Sequence, residues 1–281
     1  MKHDISNSDC QDSNEQATCR ESNDYASKLD DLDAVSKQYD CLNDFYVKSS
    51  DCVNDFYSIT KELEAELMLP FLNLKKGGKA LELGCGVGES TTHLAPFFSS
   101  LVVYDGSETF LMRARDRLKT HNHVEFRYAL FEEIADENLY DFIAANYILE
   151  HVDDVGILLE ICYKALKQGG YLFVIVPNAK ALSRQLAVKM GLLDSIYTLA
   201  ENDIKHGHKR IFDIDSFKEE IAKTKFDIIA YGGVYVKPLA NFQLSQLVDA
   251  KILNKNHFEG LKLLADDYPE LSNSIYFVLS K

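Results

Sequence analysis

The sequence predicts an α/β fold, a mostly parallel sheet with helices on both faces, and three observations carry that expectation. First, the apolar stretch Ala80-Leu81-Glu82-Leu83 runs straight into Gly84-Cys85-Gly86-Val87-Gly88, a strand that turns tightly before a helix. Second, another short apolar strand, Leu101 to Tyr104, ends at Asp105, 23 residues beyond Glu82, the length of one strand-helix-strand step. Third, Tyr171 to Val176 is apolar throughout, as a parallel strand covered on both faces must be.

Length and composition set the outer bounds. A chain of 281 residues that is 46% hydrophobic can bury a sizeable core as one large domain with a cap or as two small domains. Forty-four acids against 30 bases give a net charge of −14, which excludes nucleic acid as the expected partner because phosphate binding needs a basic face. The first 60 residues hold 13 of the acids and 5 of the bases, so the remainder is only mildly acidic. Residues 1–30 are polar with few large apolar side chains and are expected to be a disordered acidic tail. The six cysteines show no C-x-x-C spacing, so neither zinc nor a disulfide framework is expected. No apolar leader opens the chain and no apolar run is long enough to span a bilayer, so a cytoplasmic location and no membrane partner are expected.

Residues 31–76 form the next unit. Phe56, Ile59, Leu63, Leu67 and Leu72 fall near helical spacing, and Pro70 followed by Lys75-Lys76-Gly77-Gly78 punctuates the end. Residues 77–281 then form the main domain. Glu82, Gly84, Gly86 and Gly88 open it; glycines at these positions let a backbone approach a ligand with no Cβ in the way. Ser90 and Thr91 are candidate caps for the helix that follows. A dinucleotide loop would need glycine at position 89, where Glu89 stands. The pattern Glu82-x-Gly84-x-Gly86-x-Gly88 instead resembles the first motif of class I S-adenosylmethionine-dependent methyltransferases. The resemblance implies a seven-stranded Rossmann-like sheet, S-adenosyl-L-methionine as cofactor, and a glycine loop under the cofactor's amino-acid end with Glu82 beneath it. Cys85 then matters through its backbone, and Tyr39, Tyr46 and Tyr57 in the preceding helices are candidates to close over the site.

The later motifs extend the likeness. Asp105-Gly106-Ser107 resembles the second motif, where the acid accepts hydrogen bonds from both ribose hydroxyls. The third strand, Val124 to Tyr128, leads to Leu130 and Phe131, where the family commonly has an Asp facing adenine. Here the expected contacts are the backbone and apolar faces of Leu130 and Phe131, with a nearby carboxylate or water at the amino group. The fourth strand, Asp141 to Ala145, ends at Asn146, whose counterpart faces the methionine part of the cofactor. Leu149-Glu150-His151 follows, so His151 can serve packing or catalysis. A helix over Ile157 to Leu166, ended by Lys167-Gln168-Gly169-Gly170, precedes the apolar strand that Pro177 stops.

Residues 179–210 read as a helical cap insertion over the strand ends, with Leu182, Leu186, Val188 and Met190 near helical spacing. His206 and His208 alternate within it, and no third metal ligand stands at suitable local spacing, so no metal is expected. His208, beside Lys209 and Arg210, resembles a run seen in small-molecule methyltransferases of this type and is a candidate to face the acceptor. Strands over 226–231 and 274–279 flank a helical stretch over 245–264; the last strand fits the antiparallel one that ends the family's sheet. The resemblance implies methyl transfer to an oxygen or nitrogen of a small-molecule acceptor. A protein or peptide acceptor, and a scaffold that keeps the fold without catalysis, remain open alternatives, as does the oligomeric state.

Overall fold

A computed structural model describes residues 31–38 and 56–281. The tail over 1–30, Tyr39 and Tyr46 lie outside the described residues. A helical segment covers 31–38. Helix α1 spans Phe56–Leu74, and strand β1, Lys79–Leu83, follows after the Gly77-Gly78 turn. The chain then alternates through α2 (Glu89–Leu94), β2 (Ser100–Asp105), α3 (Glu108–Arg117), β3 (Val124–Tyr128), β4 (Tyr140–Asn146), α4 (Val155–Ala165) and β5 (Leu166–Pro177). The cap holds α5 (Leu182–Lys189) and the short α6 (Glu201–Lys205). The remainder is α7 (Ile214–Ile221), β6 (Asp227–Gly233), α8 (Asn241–Asp249), α9 (Lys255–Asp267) and β7 (Ser274–Ser280).

The seven strands lie in the order β3-β2-β1-β4-β5-β7-β6. All neighbours from β3 to β5 pair in parallel, and β7 runs antiparallel to both β5 and β6. Side-chain alternation divides the core between the two faces. Leu81, Leu83, Val102, Tyr104, Ile143, Ala145, Val174 and Phe277 join one cluster with α4 and α7. Ala80, Val103, Phe142, Ala144, Phe173 and Val278 join the other with α1, α2, α3, α8 and α9. This is the period of two made visible: successive residues of a buried strand feed opposite layers. On the second face Phe173 stacks on Tyr276 at 5.7 Å and 4° between ring planes, and lies 6.5 Å from Phe142.

Several boundaries depart from the sequence reading. Pro70 sits inside α1 rather than ending it. Gly88, in the left-handed region, starts α2, and Ser90 and Thr91 lie within its first turn instead of capping it. Lys167 to Gly170 belong to β5, which begins as soon as α4 ends; Gly169 takes a left-handed conformation inside the strand, where the pairing with β4 shifts register. The stretch over 245–264 is two helices, broken around Lys251, whose φ is +58°.

Candidate functional site

The C-terminal ends of β1, β2 and β4 converge where the strand order reverses, the place where an open parallel sheet binds its ligands. The glycine loop leaves β1 here. Gly84 N–H donates to the Tyr104 carbonyl at 2.8 Å, tying the loop to β2. Gly86 has a φ of +49° and, among the described residues, nothing within 4 Å of where a Cβ would stand, so the loop is open on that side. Gly88 is needed for a different reason: a Cβ there would meet the Ala114 Cα of α3 at 2.9 Å. Cys85 contributes its backbone N–H, which donates to Asp105 Oδ2 at 2.9 Å, while burial pushes its thiol well up.

Asp105 is buried, and its other oxygen accepts from the Ser107 N–H at 2.8 Å. Burial raises its carboxyl above the ordinary value, against the pull of those backbone N–H groups. It therefore braces the glycine loop to the β2 turn, with lone pairs left for further donors. Gly106 is covered from outside: a Cβ on it would meet Val35 Cγ1 of the 31–38 helix at 2.6 Å. That helix also reaches the cap, where a Cβ on Gly207 would meet Gln38 Nε2 at 1.8 Å.

Glu82 lies beneath the loop, buried, and burial pushes its carboxyl up to about 7 against the hydroxyls of Thr91 and Ser90. Its Oε2 has no hydrogen-bond partner. Asn146 ends β4; its Nδ2 donates to Ser90 Oγ at 3.4 Å, and its buried Oδ1 is unpartnered. An open cradle flanked by orphaned acceptors suits a ligand that brings hydrogen-bond donors and positive charge, as S-adenosylmethionine does with its ammonium group. Beyond β3, the Leu130 N–H donates to Glu133 Oε2 at 3.2 Å. Phe131 stands 3.9 Å from the Cβ position of Gly84, so its ring is the apolar face at this end of the site.

Past Asn146 the chain turns through Tyr147, a tyrosine in the left-handed region with φ +60°. Holding a non-glycine residue there costs about 1–3 kcal/mol. The surrounding bonds fix it: the Tyr147 hydroxyl lies 2.8 Å from Glu64 Oε1 of α1 and 3.1 Å from Ser274 Oγ of β7, and the Lys61 ammonium sits over its ring at 4.7 Å. Three residues on, Glu150 is 0% exposed and neither carboxylate oxygen has a hydrogen-bond partner. Burial pushes this carboxyl up to about 8.

His151 and His208, far apart in sequence, meet beside it. Their rings pack edge-on with centroids 4.8 Å apart. His151 Nε2 lies 3.9 Å from Glu150 Oε1, and its Nδ1 faces the Gly207 carbonyl at 3.4 Å. Burial and the neighbouring His208 push His151 down to about 3, and burial lowers His208 as well. His208 Nδ1 is 3.6 Å from Asp203 Oδ1, whose other oxygen is held by Arg184 and the Ala200 N–H. Both imidazoles keep some exposure, 18% and 15% of the side chain. The cap delivers His208 because the Lys209 N–H donates to the Glu150 carbonyl and Lys209 pairs with Asp153. His206 points elsewhere, its Nδ1 against the Asn202 carbonyl at 2.7 Å.

The sequence reading named both histidines but did not join them to each other or to Glu150 and Asp203. It also missed Tyr147 and Glu64. Only the acidic and histidine residue types were a signal; the 57-residue separation of His151 from His208 hid their contact.

A family described as "Methyltransferase domain" matches residues 57–231. The ubiquinone biosynthesis O-methyltransferase of Rhizobium etli is 26% identical over 187 residues, 63% of this chain and 72% of that protein. Among solved structures, the N-methyltransferase NodS from Bradyrhizobium japonicum WM9, in complex with S-adenosyl-L-homocysteine, superposes with a TM-score of 0.50 at 15% identity, over 79% of this chain and 87% of that one. Phosphoethanolamine N-methyltransferase 2 of Haemonchus contortus, in complex with phosphomonomethylethanolamine and S-adenosylhomocysteine, gives 0.54 at 18% identity, over 78% and 52%.

Proposed function

Because the chain belongs to the methyltransferase-domain family, and is a class I, Rossmann-like S-adenosylmethionine-dependent methyltransferase, we propose that it methylates an oxygen of a small molecule. The observation that carries this reading is the cluster of Glu150, His151 and His208 under the cap, four to five residues beyond Asn146 in its β4 arm. A hydroxyl acceptor must shed its proton to become a nucleophile, whereas an amine need only be neutral, so a site furnished with two imidazoles and a carboxylate is fitted to the harder task. The relative from Rhizobium etli, named as an O-methyltransferase, points the same way.

When bound, S-adenosylmethionine supplies an electrophilic methyl group on a sulfonium. Gly84, Cys85, Gly86, Gly88 and Glu82 are assigned to its amino-acid end, Asp105 and Gly106 to the ribose, Phe131 with Leu130 to the adenine side, and Asn146 to the methionine part. The chain's own contribution is alignment and exclusion of water. The 31–38 helix roofs the Asp105 turn, and the cap closes the acceptor side. His208 and His151 orient the acceptor oxygen and prepare it for attack, and Asp203 positions His208.

Labelled cofactor offered to a panel of phenols, enols, amines and peptides tests the reading. Methylation of hydroxyl acceptors is expected; labelling confined to amines or to peptides overturns it. Replacing His208 with Ala is expected to leave cofactor affinity near wild type by calorimetry and to lower turnover about 10²–10⁴-fold. Equal turnover of His208→Ala and wild type removes His208 from the reaction.

A further inference from the structure

We propose that Glu150, His151 and His208 form a binding site for a divalent first-row transition-metal cation, set between the end of β4 and the cap. One ligand atom from each lies within 4.8 Å of the other two. The argument starts from Glu150. A fully buried carboxyl group whose two oxygens both lack a hydrogen-bond partner among the described residues is a costly feature, and metal coordination is one way such oxygens are satisfied. Among the described residues no donor reaches its oxygens: His151 Nε2, at 3.9 Å, is beyond hydrogen-bond reach.

The other two members complete a recognisable donor set. Metals take the neutral imidazole through a ring nitrogen, and each of these two histidines turns one toward the other members of the cluster. His208 Nδ1 is itself buried and without a hydrogen-bond partner. The backbone carbonyl of Gly207, 3.4 Å from His151 Nδ1, is the kind of outer group that fixes the ring orientation of a ligating histidine. Two imidazoles and one carboxylate select Zn²⁺, Fe²⁺, Mn²⁺ or Co²⁺ over Mg²⁺ and Ca²⁺, which prefer all-oxygen shells. Three protein ligands leave at least one coordination position open, as in catalytic rather than structural centres. At bond lengths of about 2.0–2.2 Å the ligand atoms sit closer than they do here, so binding draws the three side chains inward. That the open position takes the acceptor's oxygen rests on the function proposed above; the cation site itself does not.

The test uses the full chain, freed of any affinity tag and of metal, titrated with Co²⁺ and followed by visible absorption, with Zn²⁺ binding measured in parallel by calorimetry. One bound cation per chain is expected, with the visible bands of cobalt in a nitrogen-oxygen shell and a rise in melting temperature on adding Zn²⁺. His208→Ala and Glu150→Gln are each expected to weaken binding at least tenfold, while His206→Ala binds as wild type. Should Glu150→Gln not fold, the His151→Ala, His208→Ala pair carries the comparison, with cofactor calorimetry reporting that the site remains formed. No bound cation in the wild type, binding that survives in the histidine variants, or a sulfur-to-cobalt charge-transfer band that places the metal on cysteines each overturns the site. A wild type without metal whose His208→Ala variant still loses turnover would remove the cation and leave the proposed methyl transfer standing.

Discussion

At the scale of single residues, the glycine loop after β1 was the most legible part of the chain. Glycine types at 84, 86 and 88 state a backbone requirement directly, and the structure assigns two of them different tasks: Gly86 leaves a space and Gly88 permits contact with α3. Gly86→Val, which places a β-branched side chain in that open space and at a φ of +49°, is expected to lose cofactor binding by calorimetry; retained affinity would show that the cradle lies elsewhere. Glu82 makes a pH-dependent prediction. Its folded-state value of about 7 stands above the ordinary 4.5, so the folded protein holds a proton that the unfolded chain has released. Stability is then expected to fall as pH rises from about 4.5 to 7, by up to about 3 kcal/mol from this group, and to level off above. Glu82→Gln should reduce that slope in urea melts at pH 5, 6 and 7.5, the remainder coming from groups such as Glu150, and a slope identical to wild type would contradict the assignment. What sequence could not show at this scale was the company each residue keeps. Leu130 gave no sign that its N–H donates to Glu133, three residues on. His208 was read against His206, its neighbour in sequence, when its partner is His151, brought there by the cap.

At the scale of elements, period-two alternation and glycine punctuation placed the strands, because a buried parallel strand writes its environment into every residue. Boundaries failed where tertiary pairing overrode local signals. Gly169-Gly170 has the composition of a helix stop, but β4 captures it as the start of β5. The coupling of α1 to the sheet was invisible for the same reason: Glu64, Tyr147 and Ser274 come from three distant segments. Tyr147→Phe removes the hydroxyl that meets the buried Glu64. A loss of about 1–3 kcal/mol is expected in equilibrium unfolding, the cost of leaving a buried acceptor short of a donor. Lys61, 2.7 Å from Glu64 Oε2, limits the damage, and the Lys61→Met, Tyr147→Phe double variant should lose more than the sum of the two single losses. An additive double variant would mean that the two contacts do not share Glu64.

At the scale of the whole molecule, residues 1–30 are polar with few large apolar side chains, too little apolar surface to join a core. Deleting residues 1–30 is thus expected to leave the melting temperature unchanged; a large drop would mean that the leader packs on the body. Among the described residues no helix is long and apolar enough to cross a membrane. The sheet order also has a consequence in time. β5 is apolar from Tyr171 onward and pairs on one side with β7, the seventh strand of the sheet in chain order. On the ribosome, β5 emerges almost a hundred residues before its partner, an interval of about 5–20 s at common elongation rates. Throughout that interval the centre of the finished sheet is an open, apolar edge, the form of strand most prone to pair with another chain. The nascent protein must be shielded there, and its yield in a cell should follow chaperone supply and the speed of translation between residues 177 and 274 more closely than it follows the stability of the completed fold.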